Sequence, residues 1–550
     1  MNGNDLAAAL LGGGNAFSRS LMDDAFVEKL AKRVGALNKA DTTAQSTNLL
    51  WYDLSRIVQQ VYPYRELIPL LSRLPRTPGD GGNAFHWKRI TGINVGGVSA
   101  GVSEGNRGAR IALGEQDMLA KFKTLGLESS TTFEARLGAR NLSPEVLGLA
   151  VQATLRSLRI NEEGILVVGN SSLPLGTTPI PTLIHGAVAG LTGAFAAAPT
   201  YVACVAMAGF GFINYKTYNS VTQTGGVPGQ VTKINADGSS DTFGGGSAAP
   251  SAIATVTPAG TDCITATVTP VTGAMAYAWY LGTTAASPGT MYLAGITPAN
   301  RAIFTVVPAN TNQPLSSLYV GGNPQDNSTN ILTQDGVLTQ LYGAVTGPDP
   351  GRAMSTNPLI PSGISFTASG AISYTMASGN TGLTLNGSTI NEFDTVFRTA
   401  WEQYKLGFDR VMMSATDMQN TFGAMLAQTG ANNLYRLLFD ADEETGRIVA
   451  GRKVTSYMNK FTNKVLDIET HPFLPPGTVL FWSDKMPYEV SGVGNIIEAK
   501  VRQDYYQIQW PWRSRRYEYG VYVDEGFPVY FAPGFAVINN INGPAGNPSF

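Results

Sequence analysis

The chain is poor in the residues from which catalytic and metal sites are built. Its 550 residues include three histidines (His86, His185, His471) and two cysteines (Cys204, Cys263). The histidines are scattered without ligand spacing, and with two distant cysteines they compose no zinc site. A nucleophile–histidine triad would have to recruit one of these three. Charge is scarce in the middle of the chain. From Gly186 to Asn300 five charged residues (Lys216, Lys233, Asp237, Asp241, Asp262) occupy 115 positions, against 14% charged residues overall. An uncharged stretch, Gly186 to Tyr215, is split by Pro199 and dominated by Gly and Ala in its first half, so no membrane span is expected. Met1 to Gly14 carries Asp5 and no Lys or Arg, so no secretion signal is expected. A net charge of -2 and a pI near 6.0 exclude attraction of the whole molecule to nucleic acid as its working principle. The cysteines are expected as free thiols in a reducing compartment rather than as a disulfide.

What is present is a globular composition, 43% hydrophobic with a mean hydropathy of -0.01, long enough for two or three domains. The low-charge middle is built of Gly, Ala, Ser, Thr, Val and Pro. Residues 253–257, 263–268, 276–280 and 302–306 alternate apolar and hydroxyl-bearing or small residues between turns, with Trp279 as a candidate core residue. This reads as an all-β, immunoglobulin-like or fibronectin-like module at 199–322, inserted into a separate α+β protein. On its N-terminal side, Phe26, Leu30, Val34 and Leu37 recur at helical spacing and a second helical stretch runs from Asn48 to Val61. Residues 79–127 read as two β segments around a glycine-bearing tip, with Arg107 and Arg110 near that tip. Ser143 and Pro144 open a helix in which Leu147, Val151, Leu155, Leu158 and Leu166 share a face, with Gly169 as its stop. After the middle, Asn391 is placed to cap a helix with Phe393, Val396, Phe397, Ala400, Trp401 and Tyr404 on its apolar face. Strands are expected at 410–413, 448–454, 464–468 and 478–482. The last is followed by a C-terminal run in which Tyr517, Tyr519, Val521 and Val523 share a face.

Three clusters invite a chemical reading. Glu162-Glu163 are adjacent on the predicted helix, point about 100° apart and therefore do not face each other. They read as a solvated or subunit-facing pair. Asp440, Asp442, Glu443 and Glu444 lack the ligand spacing of an EF-hand and read as a charged loop. Trp510-Pro511-Trp512-Arg513-Ser514-Arg515-Arg516-Tyr517 could stack on nucleic acid, but strand aromatics beside a basic turn account for it.

The order of these parts resembles the major capsid proteins of tailed bacteriophages, whose shell fold is shared with the herpesvirus capsid floor and encapsulins. Glu162 to Asn170 followed by Pro174-Leu175-Gly176 is similar to the family's spine-helix exit. Arg410 to Asp417 resembles its axial strand and helix start, and Tyr517 to Val521 with Phe535 to Ile541 its terminal strands. The resemblance implies an α+β fold with an N-terminal arm (1–78), an extended β loop (79–127) and a peripheral domain (128–198) whose spine helix is 143–168. The inserted domain (199–322), an axial domain (323–485) and a return to the peripheral domain (486–550) follow. It implies no enzyme and no cofactor, but a self-assembling icosahedral shell around phage DNA, in a virion assembled in the host bacterial cytoplasm. Partners would be further copies in hexamers and pentamers, scaffolding, portal and decoration proteins, packaged DNA through non-specific contact, and no membrane. Lys88, Arg89, Arg107, Arg110, Glu162 and Glu163 are the expected subunit-contact residues. The insertion would be displayed outward, with weak glycan binding. The alternatives are an encapsulin-type compartment, or a secreted glycan-binding adhesin or enzyme with an immunoglobulin-like module.

Overall fold

A computed structural model describes residues 64–79, 82–93, 100–111, 113–138, 146–343, 361–379, 382–386, 389–423, 440–441, 448–449, 456–486, 493–512 and 514–543. They fall into two compact units, residues 1–61 with 134–148 and residues 62–133 with 149–550. In the first, residues 134–138 and 146–148 are helical. The expected helices before residue 62, and the caps Ser143 and Pro144, lie outside the described residues.

Strands β1 (Arg76–Pro78), β2 (Ala84–Ile93), β3 (Leu113–Lys121) and β4 (Lys123–Thr132) come first, then α1 (Phe133–Gly138) and the long helix α2 (Val146–Val168). The middle of the chain supplies β5 (Thr182–Gly186), β6 (Thr200–Met207), β7 (Ala254–Val256), β8 (Cys263–Thr267), β9 (Ala276–Gly282), β10 (Tyr292–Thr297) and β11 (Arg301–Phe304). Next are β12 (Ile364–Phe366), β13 (Ile372–Thr375), α3 (Asn391–Tyr404), β14 (Arg410–Met413), β15 (Ser456–Met458), β16 (Val465–Thr470) and β17 (Val479–Trp482). Strands β18 (Ala499–Gln509), β19 (Arg516–Gly526) and β20 (Phe535–Asn539) end the series. The fold is α+β.

Four strands in the order β1-β18-β19-β4 form the sheet on which α2 lies. Val151, Leu155, Leu158 and Ile165, at helical spacing, pack on Leu125, Leu127, Val521 and Val523, at strand alternation. Two periodicities, 3.6 and 2, thus meet in one small core. The helix ends at Val168, where the Gly169 amide still reaches the Ile165 carbonyl at 2.8 Å. A side chain on Gly169 would place its Cβ 2.5 Å from the Gln334 carbonyl oxygen, so close approach of residues 334–336 requires this glycine. The seven-stranded sheet, β12-β13-β20-β17-β14-β16-β15, carries α3 over Phe393, Val396, Phe397 and Ala400. Asn391 is the first residue of that helix rather than its cap; Ile390 holds the cap position in extended backbone. No helix among the described residues is long and apolar enough to cross a membrane.

The middle segment makes two antiparallel sheets, β7-β6-β9-β10 and β11-β8-β5. Trp279 is fully buried, its indole N–H donating to Thr297 Oγ1 at 2.8 Å and its ring edge-on to Phe304. Cys204 and Cys263 are buried free thiols on different sheets.

The bounds 199–322 do not enclose these two sheets: the second takes β5 from outside that range. One continuous core also joins Trp279 and Ile264 to Leu166 of α2, Leu338, and Met412 and Phe535 of the seven-stranded sheet. The Asn300 amide even donates to Asn540 Oδ1 at 2.7 Å. The second β segment of the 79–127 hairpin stops short of residue 127. It breaks at buried Phe122, and β4 leaves β2 to pair with β19.

Candidate functional site

Glu162 and Glu163 are fully buried, so they are neither solvated nor facing another subunit. The reason is that each carboxylate is the meeting point of several elements. Arg76 of β1 inserts its guanidinium among them. Nη1 donates to Glu162 Oε1 at 2.9 Å, Nη2 to Glu525 Oε2 of β19 at 3.0 Å, and Nε to Asp504 Oδ1 of β18 at 3.1 Å. The Tyr505 hydroxyl donates to Glu162 Oε2 at 2.5 Å, and the guanidinium lies 4.5 Å from the centre of the Tyr505 ring. Burial, reinforced by Glu162, pushes the Glu525 carboxyl well above the usual carboxylate range despite Arg76. Glu525 Oε1 has no hydrogen-bond partner.

Glu163 turns the other way, as the angle between adjacent helix positions requires. Its Oε1 accepts from the Leu70 amide at 2.9 Å and from His471 Nε2 at 2.7 Å, and its Oε2 from the Leu71 amide at 2.7 Å. The Phe473 amide donates to His471 Nδ1, so the ring proton sits on Nε2 and points at Glu163. The two carboxylates therefore fasten residues 70–76, the helix, the four-stranded sheet and the loop after β16 into one joint. None of the partners Arg76, Tyr505 and Glu525 is marked by any local motif.

A further buried carboxyl gives a pH-dependent stability. Asp417 accepts from the Gly477 amide and the Ser414 hydroxyl, both at 2.8 Å, while its own amide donates to that hydroxyl. Burial dominates and pushes it up to about 6. A carboxyl raised in the fold binds its proton more tightly there than in the unfolded chain, so stability falls as pH rises from about 4 through 6. Two pH units correspond to about 3 kcal/mol. Asp417→Asn keeps the acceptor and removes the charge. Urea unfolding at pH 4 and 7.5 should show the wild type losing about 3 kcal/mol relative to the variant; parallel pH profiles would refute this.

The ribbon residues are placed differently. Strands β2 and β3 pair with each other and with no other described strand. Lys88 meets Asp117 across the ribbon at 3.7 Å, both well exposed, a pair that contributes little to stability. The side chain of Arg89 lies outside the described residues. Arg107 and Arg110 sit in the tip, where every residue from 100 to 111 is exposed. Gly101-Val102-Ser103-Glu104-Gly105 in that tip matches the nucleophile-elbow pattern. However, Ser103 lies in open loop rather than a strand-to-helix turn, and its hydroxyl accepts from Asn106. The ribbon is anchored at its base, where Phe85 lies 5.1 Å from Phe122 and Trp87 meets Tyr530 edge-on.

Of the remaining sequence clusters, Asp442, Glu443 and Glu444 lie outside the described residues. Trp512 and Tyr517 pack edge-on where the β18–β19 hairpin turns, with Tyr517 stacked on Phe133. His185 is an exposed partner of Asp262 at 2.7 Å and holds that carboxyl below its usual range. Among the described residues no group of three His, Cys, Asp or Glu is placed to hold a metal ion.

No family model matches the chain, and no curated protein matches it in sequence. Solved structures similar to it include the capsid of a native GTA particle, at 7% identity, covering 91% of this chain and 98% of that one, with a TM-score of 0.41. Gordonia phage Cozz is similar at 10% identity over 90% and 93% of the two chains, with a TM-score of 0.36. The holo-SrpI encapsulin complex from Synechococcus elongatus PCC 7942 is similar at 7% identity over 91% and 95%, with a TM-score of 0.31.

Proposed function

We propose that the chain is a structural major capsid protein, which self-assembles into the closed shell of a tailed-phage-like particle. The observation that carries this reading is the β2–β3 ribbon. It pairs with no other described strand and ends in twelve exposed residues. Leu119, Val102 and Ile111 are more than half exposed along it. A two-stranded ribbon is at best marginally stable by itself, and exposed apolar side chains at its end gain from a neighbour's surface. The Arg76–Glu162–Glu525 joint supports the same reading, because it locks the four-stranded sheet to the long helix from inside. Such a subunit can transmit load without an active site.

In finer detail, β5 to β11 are an immunoglobulin-like sandwich on the shell's outer face, where weak glycan contact is its proposed use. Scaffolding and portal proteins, and packaged DNA on the inner face, are the proposed partners, in a virion assembled in the host cytoplasm. An encapsulin-type compartment would use the same subunit and differ in its contents. The test is to express the chain and examine it by size exclusion and negative-stain electron microscopy. Shells, tubes, or rings of five or six subunits are expected. A protein that remains monomeric at every concentration and salt tested overturns the reading.

A further inference from the structure

A groove of about 790 Å³ runs between the four-stranded sheet and a hairpin of the middle segment, Gln230–Ile234 with Ser240–Gly244. Glu128, Glu518 and Trp510 line the sheet side, and the turn from Lys233 to Asp237 closes the other. Three carboxylates thus face one lysine. Glu128 is engaged by the Tyr522 hydroxyl and Asp237 by Ser239. Glu518 has no side-chain partner among the described residues, although its backbone carbonyl accepts from the Trp510 amide. Ile234, 76% exposed, adds an apolar surface. The groove therefore offers an unengaged anion, an indole face and an aliphatic wall side by side. That combination suits an arginine flanked by an aliphatic residue, since a guanidinium both pairs with carboxylates and stacks on tryptophan.

The ribbon tip has the matching set. Arg107 and Arg110 stand exposed beside Val102, 52% exposed, and Ile111, 58% exposed. We infer that this groove receives the ribbon tip of a second copy of the chain, its arginines toward Glu518 and Trp510 and its aliphatic residues toward Ile234. The inference rests on the shell reading and deepens it by naming the joint. It also gives the 230–244 hairpin of the low-charge segment a part in holding subunits together, instead of decoration alone.

The test uses assembled full-length chain carrying A109C in the tip and A236C in the groove, both at exposed positions. The native thiols Cys204 and Cys263 are buried and leave the background low. Mild oxidation should yield a ladder of covalent multimers on a non-reducing gel, collapsing with reductant, while either single variant yields none. A second measurement avoids cysteines. R107E/R110E should lower the assembled fraction about tenfold, and adding E518R should recover most of that loss, as for a close interfacial charge pair. Shells whose double-cysteine chain stays monomeric on the gel, or links only within itself, overturn the inference and leave the shell reading standing. Failure of E518R to recover any assembly would likewise overturn it. A wild-type chain that never assembles removes both.

Discussion

Arg76→Ala destabilises the folded chain by about 3–5 kcal/mol, and more at alkaline than at acid pH. The substitution leaves two carboxylates, Glu162 and Glu525, fully buried without their cation. The sign of the pH dependence follows from Glu525. Its carboxyl is already raised in the fold, so its contribution to stability is lost as pH climbs from the unfolded carboxylate range through the folded value. Without Arg76 that folded value rises further, and the window of loss extends upward. Urea midpoints at pH 5 and pH 8 should therefore show the variant's deficit growing with pH. Adding E162Q and E525Q to the alanine variant removes the buried charges and should recover most of the stability. If the deficit is the same at both pH values, Arg76 acts through its packing on the Tyr505 ring and the electrostatic account is wrong.

This joint also marks the boundary of what the sequence discloses. Local periodicity announced α2, since Val151, Leu155 and Leu158 fall on one face whatever that face packs against. It announced the strands around Trp279 for the same reason. Adjacent glutamates near a helix end carry no such signal, because their meaning lies in partners remote along the chain. Glu162 meets Tyr505 across 343 positions, and Glu163 meets His471 across 308. Read locally, two charges on a helix belong in water; buried, they require cations and amides that local spacing does not reveal. The edge strand β5 escaped for a different reason. Thr182, Ile184 and His185 are exposed, so the alternation that betrays a half-buried strand is missing there. The low-charge segment suggested independence because its composition differs. Its inner residues nevertheless join the same core as α2 and the seven-stranded sheet, and composition does not report which surfaces are shared. Arg107 and Arg110 were legible as exposed tip residues because glycine-rich loops between strands have few alternatives.

Glu163→Ala loosens residues 64–76 before it unfolds the rest. The carboxylate satisfies three buried donors, the amides of Leu70 and Leu71 and the imidazole of His471. Each donor left without a partner costs about 1–3 kcal/mol, which places the total at about 3–9 kcal/mol. Arg76 holds the end of this segment, but its middle has besides Glu163 only the buried side chains of Leu70 and Leu71 and the exposed contact of Arg73 with Glu469. The loss should therefore appear first as local opening, read as faster hydrogen exchange at Leu70 and Leu71 and as new proteolysis near Arg73. Glutamine is a poor substitute, which makes the test sharper. Its single carbonyl oxygen faces three donors, and its amide N–H groups would point at a further donor. Glu163→Gln should thus recover at most a small part of the loss, whereas an ordinary buried acid tolerates its amide well. Exchange at Leu70 and Leu71 that is unchanged in the glutamine variant would mean that the segment is held by Arg76 alone. Fast exchange in both variants, with the slow core around Trp279 intact, would identify Glu163 as the fastening between the chain before β1 and the long helix.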